Sequence, residues 1–475
     1  MIVNKYYKVI KVIKDSIDGP TPFYIENTQS LSMNFSTGDT STSYTKRNLM
    51  YKIDDGEWFE YPDDGTLIAV PSGSKIYLKG DNPEFSTPPS NYISRFRFKS
   101  SGGYYYGYKM GGYLTSLIKS TNFDEVDTVP DYAFYCLDGN DRASASGGNV
   151  ANLSDDYGID LTDLITDNIK YIGNYGCYNM FCNSKYIKAF PEYFFNNVIS
   201  VGNYGFHDAF YGPYGEIKSS TIMPKYMFTK LEYVGDYGFY GMFEKSKFGS
   251  ISEGLFSNVT SVGNQSFNNC FSNCTSLSTL PEGMFSKVTS VLGGTFNGCF
   301  KDCISLMTLP EGIFSNVTTT NNSYSFQKCF SNCTSLTTLP EGMFGNLTNG
   351  GSYSFDQCFS NCTSLTTLPE GMFANVTNVS GGSFKSCFQS CTSLLVGPNF
   401  KNITGSTSHD AFDNCFEGCS NLQLIYAPSM SSWNESYFQD WVKGVYPTGK
   451  MYVKSGVVPP TGTSGVPEGW QLLNY

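Results

Sequence analysis

Histidine is nearly absent from this chain: there are two in 475 residues. That excludes the usual Cys/His zinc sets, and neither His207 nor His409 has a nucleophile signature beside it. Charge is sparse as well. Charged residues make up 15%, and acidic residues outnumber basic ones 42 to 31, for a net charge of −11. Such a surface repels a phosphate backbone, which argues against a nucleic-acid partner. No apolar run approaches the ~20 residues that a membrane helix needs, so no membrane insertion is expected. Phosphate loops and dinucleotide fingerprints are missing, and the glycines punctuate turns instead. Glu282 and Glu311 recur once per copy of a repeat, so they read as turn residues and not as a catalytic pair. The expectation is a protein with no enzymatic activity, no metal and no cofactor.

What is present is repetition. The first cysteines of six C-F-x-x-C pairs stand at Cys270, Cys299, Cys329, Cys358, Cys387 and Cys415, spaced 29, 30, 29, 29 and 28 residues apart. A fixed period of this length marks a stacked repeat, because each copy buries its apolar face only against its neighbours. One copy opens with Leu277-Ser-Thr-Leu280 and Pro281, where proline ends a short extended segment. Val288-Thr-Ser-Val291 is a second short strand, β-branched and strand-prone. In the preceding copy Phe267, Cys270, Phe271 and Cys274 lie at i, i+3, i+4 and i+7, which predicts one face of a helix.

Twelve of the 15 cysteines belong to these pairs; Cys136, Cys177 and Cys182 lie outside them. In the earlier, degenerate copies Met180, Ala209 and Met242 replace the first cysteine, and Ser184 and Ser246 replace the second. A slot that accepts Met, Ala and Cys is an apolar packing slot, where free cysteine acts as a small hydrophobe. Buried thiols are therefore expected, in preference to disulfides or metal ligands, and that fits assembly in a reducing cytosol.

The combination S-L-x-x-L-P, V-T-S-V-G and S-F-x-x-C-F-x-x-C resembles the bacterial leucine-rich repeat proteins of the BspA-like group, over roughly residues 163–428. The resemblance implies a solenoid of short parallel strands plus short helices, and a surface-displayed binding protein. The copies here are longer than the usual form. Residues 1–100 read as an all-β sandwich domain and possible attachment domain, with strands at Leu49–Ile53, Trp58–Tyr61, Thr66–Val70, Lys75–Lys79 and Arg95–Lys99 between turn signals. Tyr6–Ile13 opens this segment, and the first ~25 residues read either as an attachment arm or as an edge strand. Residues 101–162 form a transition and N-terminal cap, with a solvated aspartate-rich insertion from Asp138 onward that lacks the ligand order of a calcium loop. Residues 429–475 form a small α+β closing module. There Ser432-Trp-Asn-Glu435 reads as a capping box for a helix through Val442, and Trp433, Trp441 and Trp470 cover the apolar end. Both ends resemble modules that flank such repeats in gut-bacterial and gut-phage proteins.

The opening MIVNKYYKVIKVIKDSIDG has no apolar signal region, which sets the expectation of a protein that is not exported. Phage virion proteins are adhesive and are built in the host cytosol. The leading expectation is therefore a fibre or decoration on the virion surface, joined to other virion proteins through its N-terminal domain and touching a host glycan or protein. It would act alone or as a homo-oligomer. A bacterial cell-surface adhesin whose signal has been removed is one alternative, and a virion-associated polysaccharide-degrading enzyme is another. Two surfaces are candidates for binding. Tyr186, Tyr193, Tyr211, Tyr214 and Tyr226 give amphipathic contact area suited to sugar rings. Thr308, Thr338 and Thr367 form a hydroxyl column. Against these stand the plainer readings that the tyrosines fill wide coils and that the threonines are an ordinary exposed strand face.

Overall fold

The computed structural model describes residues 19–28, 33–37, 48–62, 66–82, 96–100, 108–135, 137, 158–182, 187–212, 223–320, 323–406 and 409–475. The opening strand expected at Tyr6–Ile13, the arm before residue 19, residues 138–157 of the aspartate-rich insertion, Cys136, Ser184, Tyr186 and Tyr214 lie outside them; the end of that insertion, expected as a solvated loop through Asp163, is instead part of the strand Ile159–Ile165. The chain divides into two compact units, Met1–Val198 with Gly212–Met227, and Ile199–Tyr211 with Phe228–Tyr475.

The first unit holds a seven-stranded sheet in the order Ile187–Ala189, Ile159–Ile165, Tyr108–Tyr113, Phe23–Asn27, Lys75–Gly80, Leu49–Ile53 and Phe59–Glu60. Phe23–Asn27 runs antiparallel to both neighbours, whereas Ile159–Ile165 runs parallel to both of its own. The sheet thus passes from hairpin-type pairing to the parallel pairing of a coil. A second antiparallel sheet joins Ile68–Val70, Met33–Thr37 and Phe96–Ser100. Leu114–Leu117, which begins the solenoid pattern in the sequence, is a short 3₁₀ turn.

The second unit is a solenoid, and its coils hold together by three hydrogen-bond ladders. The first runs through the L-x-x-L segments: Thr337 N–H donates to Met307 O at 3.2 Å, Thr366 to Thr337 at 3.1 Å, and Leu395 to Thr366 at 3.2 Å. The second runs through the two-residue parallel strands, such as Ser290–Val291 on Thr319–Thr320, with Thr318 N–H on Thr289 O at 2.9 Å and Thr348 on Thr318 at 3.1 Å. In both, the later coil donates to the earlier one.

The third ladder replaces the helix expected on S-F-x-x-C-F-x-x-C. Among the described residues there is no α-helix. Instead, alternate N–H groups bond within the coil, Cys270 to Phe267 O at 3.2 Å and Cys274 to Phe271 O at 3.2 Å. The others reach the next coil, Phe267 to Thr295 O at 2.9 Å and Phe271 to Cys299 O at 2.8 Å. Every fourth residue takes the left-handed conformation: Gln265, Asn269 and Asn273 have φ of 51°, 53° and 59°. These three are half-exposed, while Phe267, Cys270, Phe271 and Cys274 are fully buried. A four-residue ribbon therefore puts the same residues inward as a helix would. The helix lost because each of its N–H groups would bond inside the segment, leaving none to join neighbouring coils.

Phenylalanine fills the interior. Phe285 stacks on Phe256 and Phe314 at 5.6 and 5.7 Å and meets Phe267 and Phe296 edge-on at 4.9 and 4.8 Å. It does so with φ of 57°. Left-handed backbone costs about 1–2 kcal/mol for a residue with a side chain. Burying the ring contributes about 1.5–3 kcal/mol, and each such aromatic pair adds about 0.5–1.5 kcal/mol, so packing wins.

The fourteen described cysteines are all free and buried. The second of each pair donates its thiol to the coil before it: Cys303 Sγ to Phe271 O at 3.2 Å, Cys391 to Phe359 O at 3.1 Å, Cys419 to Phe388 O at 3.0 Å. Burial pushes these thiols up, to about 12 for Cys362 and Cys419. Thiolate reactivity requires a lowered value and access, and both are lacking here. With the native protein, a thiol-labelling reagent counted by intact mass is expected to add one label at most, at Cys136. In denaturant it adds fifteen. Fast native labelling of several thiols would contradict the buried columns.

Asparagine ties the corner after Phe314, Phe344, Phe373 and Phe400. Asn316 Nδ2 donates to Ser286 O at 2.7 Å, Asn346 to Ser315 O at 2.8 Å, Asn375 to Gly345 O at 2.6 Å and Asn402 to Ala374 O at 2.6 Å. The threonine two residues on bonds likewise, Thr318 Oγ1 to Thr289 O at 3.1 Å. The N-x-T triplets are thus coil-to-coil ties. Asn316→Ala is expected to lower stability by about 1 kcal/mol in denaturant unfolding; no change would show that the tie contributes nothing.

At the C-terminal end the expected helix through Val442 is a 3₁₀ turn, Glu435–Tyr437. Asn434, and not Ser432, caps it by accepting from Ser436 N–H at 3.1 Å. The ribbon then resumes: Phe438 stacks on Phe412 at 5.3 Å, and fully buried Trp441 packs on Phe416 at 5.9 Å. The strands Val396–Asn399, Leu424–Tyr426, Lys450–Val453 and Gln471–Asn474 close this end as a parallel sheet.

Candidate functional site

The sequence candidates do not gather into one site. Tyr193 and Tyr226, in the first unit, stack at 5.3 Å with 13° between planes. Burial, and then the neighbouring Glu192 carboxylate, pushes the Tyr193 phenol up. Both rings are half-buried, and the Lys225 ammonium lies 5.1 Å over Tyr226. Tyr211 belongs to the second unit, where its hydroxyl accepts from Lys245 Nζ at 2.8 Å. These tyrosines are engaged in packing and pairing.

Thr308, Thr338 and Thr367 do form one exposed column, one per coil, and no described residue bonds their hydroxyls. The adjoining column is tied down: Thr337 Oγ1 donates to Met307 O and Thr366 Oγ1 to Thr337 O, each at 3.3 Å. Half of the hydroxyl lattice is therefore structural, and its free half lies on exposed L-x-x-L segments that are not strands.

A concave site lies elsewhere, where one coil is short. Phe373 follows Leu365 by eight positions, whereas Phe400 follows Leu394 by six. Both leucines are buried, and the two phenylalanines pack on each other at 6.2 Å, so the ends of the two segments match. The shorter coil lacks the Pro-Glu-Gly corner and a counterpart of buried Met372. It runs instead as the strand Val396–Asn399, which pairs with Leu424–Tyr426 across a register shift. The corner at Pro369-Glu370 consequently overhangs a recess of about 260 Å³. Its walls are Leu368, Val396 and Leu424, and Glu370, Asn399, Lys401 and Tyr426 also line it. Tyr426 is braced from behind by Tyr452 at 5.1 Å. Lys401 N–H donates to Asn399 Oδ1 at 3.2 Å, which fixes the amide. Glu370 and Lys401 are exposed and do not pair with each other. Sequence reading missed this site; its signal was the shortened Leu394–Phe400 link.

Among the described residues no three His, Cys, Asp or Glu side chains gather to hold a metal ion. No helix is long and apolar enough to cross a membrane. No family model matches the chain, and no curated protein does. Among solved structures, a leucine-rich repeat protein from Bacteroides ovatus ATCC 8483 is similar to 63% of this chain and 79% of its own, at 18% identity and a TM-score of 0.21. At that score the likeness carries no weight, and the class of the fold, a repeat solenoid, stands on the coils themselves.

Proposed function

We propose that the protein is a non-enzymatic virion component, a fibre or decoration whose solenoid presents a binding surface to a host-cell glycan or protein. The supporting observation is the reduced thiol column. Two cysteines per coil are packed as hydrophobes, and the second of each pair spends its S–H on a carbonyl of the coil before. Structural thiols of this kind suit a chain that folds in a reducing cytosol, where virion proteins are made, better than one that folds after export. The free threonine column and the recess beside Glu370 supply surface for recognition.

Mass spectrometry of purified particles and of host envelope, searched for these peptides, tests the reading. Peptides in the particles are the expected result. Peptides confined to the envelope would overturn it in favour of a cell-surface adhesin.

A further inference from the structure

We infer that the recess under Glu370 is a binding site for a single neutral sugar ring, the terminal hexose of a glycan chain. The inference rests on the binding role proposed above and names its site and ligand. Its basis is the fit of four features. The recess is concave and more polar than apolar, with Leu368, Val396 and Leu424 set beside the polar groups of Glu370, Asn399, Lys401 and Tyr426. Its volume of about 260 Å³ lies below the range for drug-sized ligands, so it holds one ring and not a chain. Val396 is 36% exposed, an uncovered apolar side chain on the floor of a cleft.

The polar groups match hydroxyls. A carboxylate accepts two hydroxyl donors, the Asn399 amide offers its Nδ2 hydrogens because its oxygen is held by Lys401 N–H, and the Lys401 ammonium donates only. Tyr426, braced by Tyr452, offers the side of a ring to the apolar face of a pyranose.

Charge selects against ions of either sign. Glu370 ends a column of exposed carboxylates, Glu253, Glu282, Glu311, Glu341 and Glu370, one per coil, and none of them forms an ion pair. That column and the net charge of −11 repel an anionic sugar. Lys401, on the same recess, opposes a cation. A neutral polyol is opposed by neither group and can hydrogen-bond to both.

Saturation-transfer NMR on the full chain, with the methyl α- and β-pyranosides of glucose, galactose and mannose as probes, tests the assignment. At least one hexoside is expected to receive transfer. Glu370→Gln and Tyr426→Ala are each expected to weaken it at least about tenfold. Glu370 is exposed, so E370Q folds even if Y426A does not. A variant with Thr308, Thr338 and Thr367 all changed to Ala should bind as the parent does. No transfer from any hexoside, or transfer that survives E370Q, overturns the site. Peptides found in particles would in that case leave the virion reading standing. Hexoside binding by a protein absent from particles would do the reverse.

Discussion

Raising the pH from 8 to about 10 is expected to unfold the solenoid in one steep transition. The cause is the thiol columns. All twelve paired cysteines are buried, and burial raises every one above its ordinary value. A thiol so raised keeps its proton in the fold and gives it up in the unfolded chain. Its contribution to stability is therefore full below the unfolded value near 9. It is lost as pH climbs from there toward the folded value, about 12 for Cys362 and Cys419. Each such group weighs on the fold by about 1.4 kcal/mol per pH unit inside that window. All twelve act in the same direction, so the loss is cumulative and is set against the small net stability of a folded domain. Circular dichroism should hold to about pH 9 and then collapse, with all paired thiols becoming alkylatable at the same point. Gradual alkylation from pH 8.5 with intact circular dichroism would sink this account.

Phe314→Ala carries the second large effect. Phe314 is fully buried, stacks on Phe285 and Phe344 at 5.7 and 5.8 Å, and lies 4.7 and 4.9 Å from Phe296 and Phe326. Truncating a core phenylalanine costs about 3–5 kcal/mol. The backbone adds a signature that an ordinary core site lacks. With φ at 57°, alanine inherits the left-handed strain that glycine escapes. Phe314→Gly should therefore be more stable than Phe314→Ala by about 1 kcal/mol, the reverse of their order in a helix. Urea unfolding of the two variants decides it, and an alanine variant that matches or exceeds the glycine variant would refute the ribbon backbone at this position. Because coils touch only their neighbours, hydrogen exchange should show protection lost around Phe296 to Phe344 before it is lost at Trp441.

Much of this was legible beforehand. The period, the buried Leu277, Val288, Phe271 and Cys274 rows and the packing role of cysteine follow from residue type and spacing alone. The helix did not survive, because apolar residues at i, i+3, i+4 and i+7 fit two backbones equally well. What separated them was the set between: Gln265, Asn269 and Asn273 recur every fourth residue, and asparagine tolerates φ above zero. The tyrosine cluster read as one surface because it is contiguous in sequence, yet Tyr193 and Tyr211 fall in different units. The recess was masked by the repeat itself. The two residues missing between Leu394 and Phe400 are partly made up further on, so Cys415 follows Cys387 at 28 residues, almost on period. A pattern measured from cysteine to cysteine cannot show a defect that closes within one copy.

The opposed ladders have an electrostatic consequence. In the ribbon, N–H groups point toward the later coil; in the two strand ladders they point toward the earlier one. An α-helix aligns its peptide dipoles and accumulates partial charge at its ends. Here the two strand ladders run against the ribbon within every coil, so they offset part of its axial dipole. Each added copy therefore contributes less to the field at the ends of the stack than its ribbon alone would.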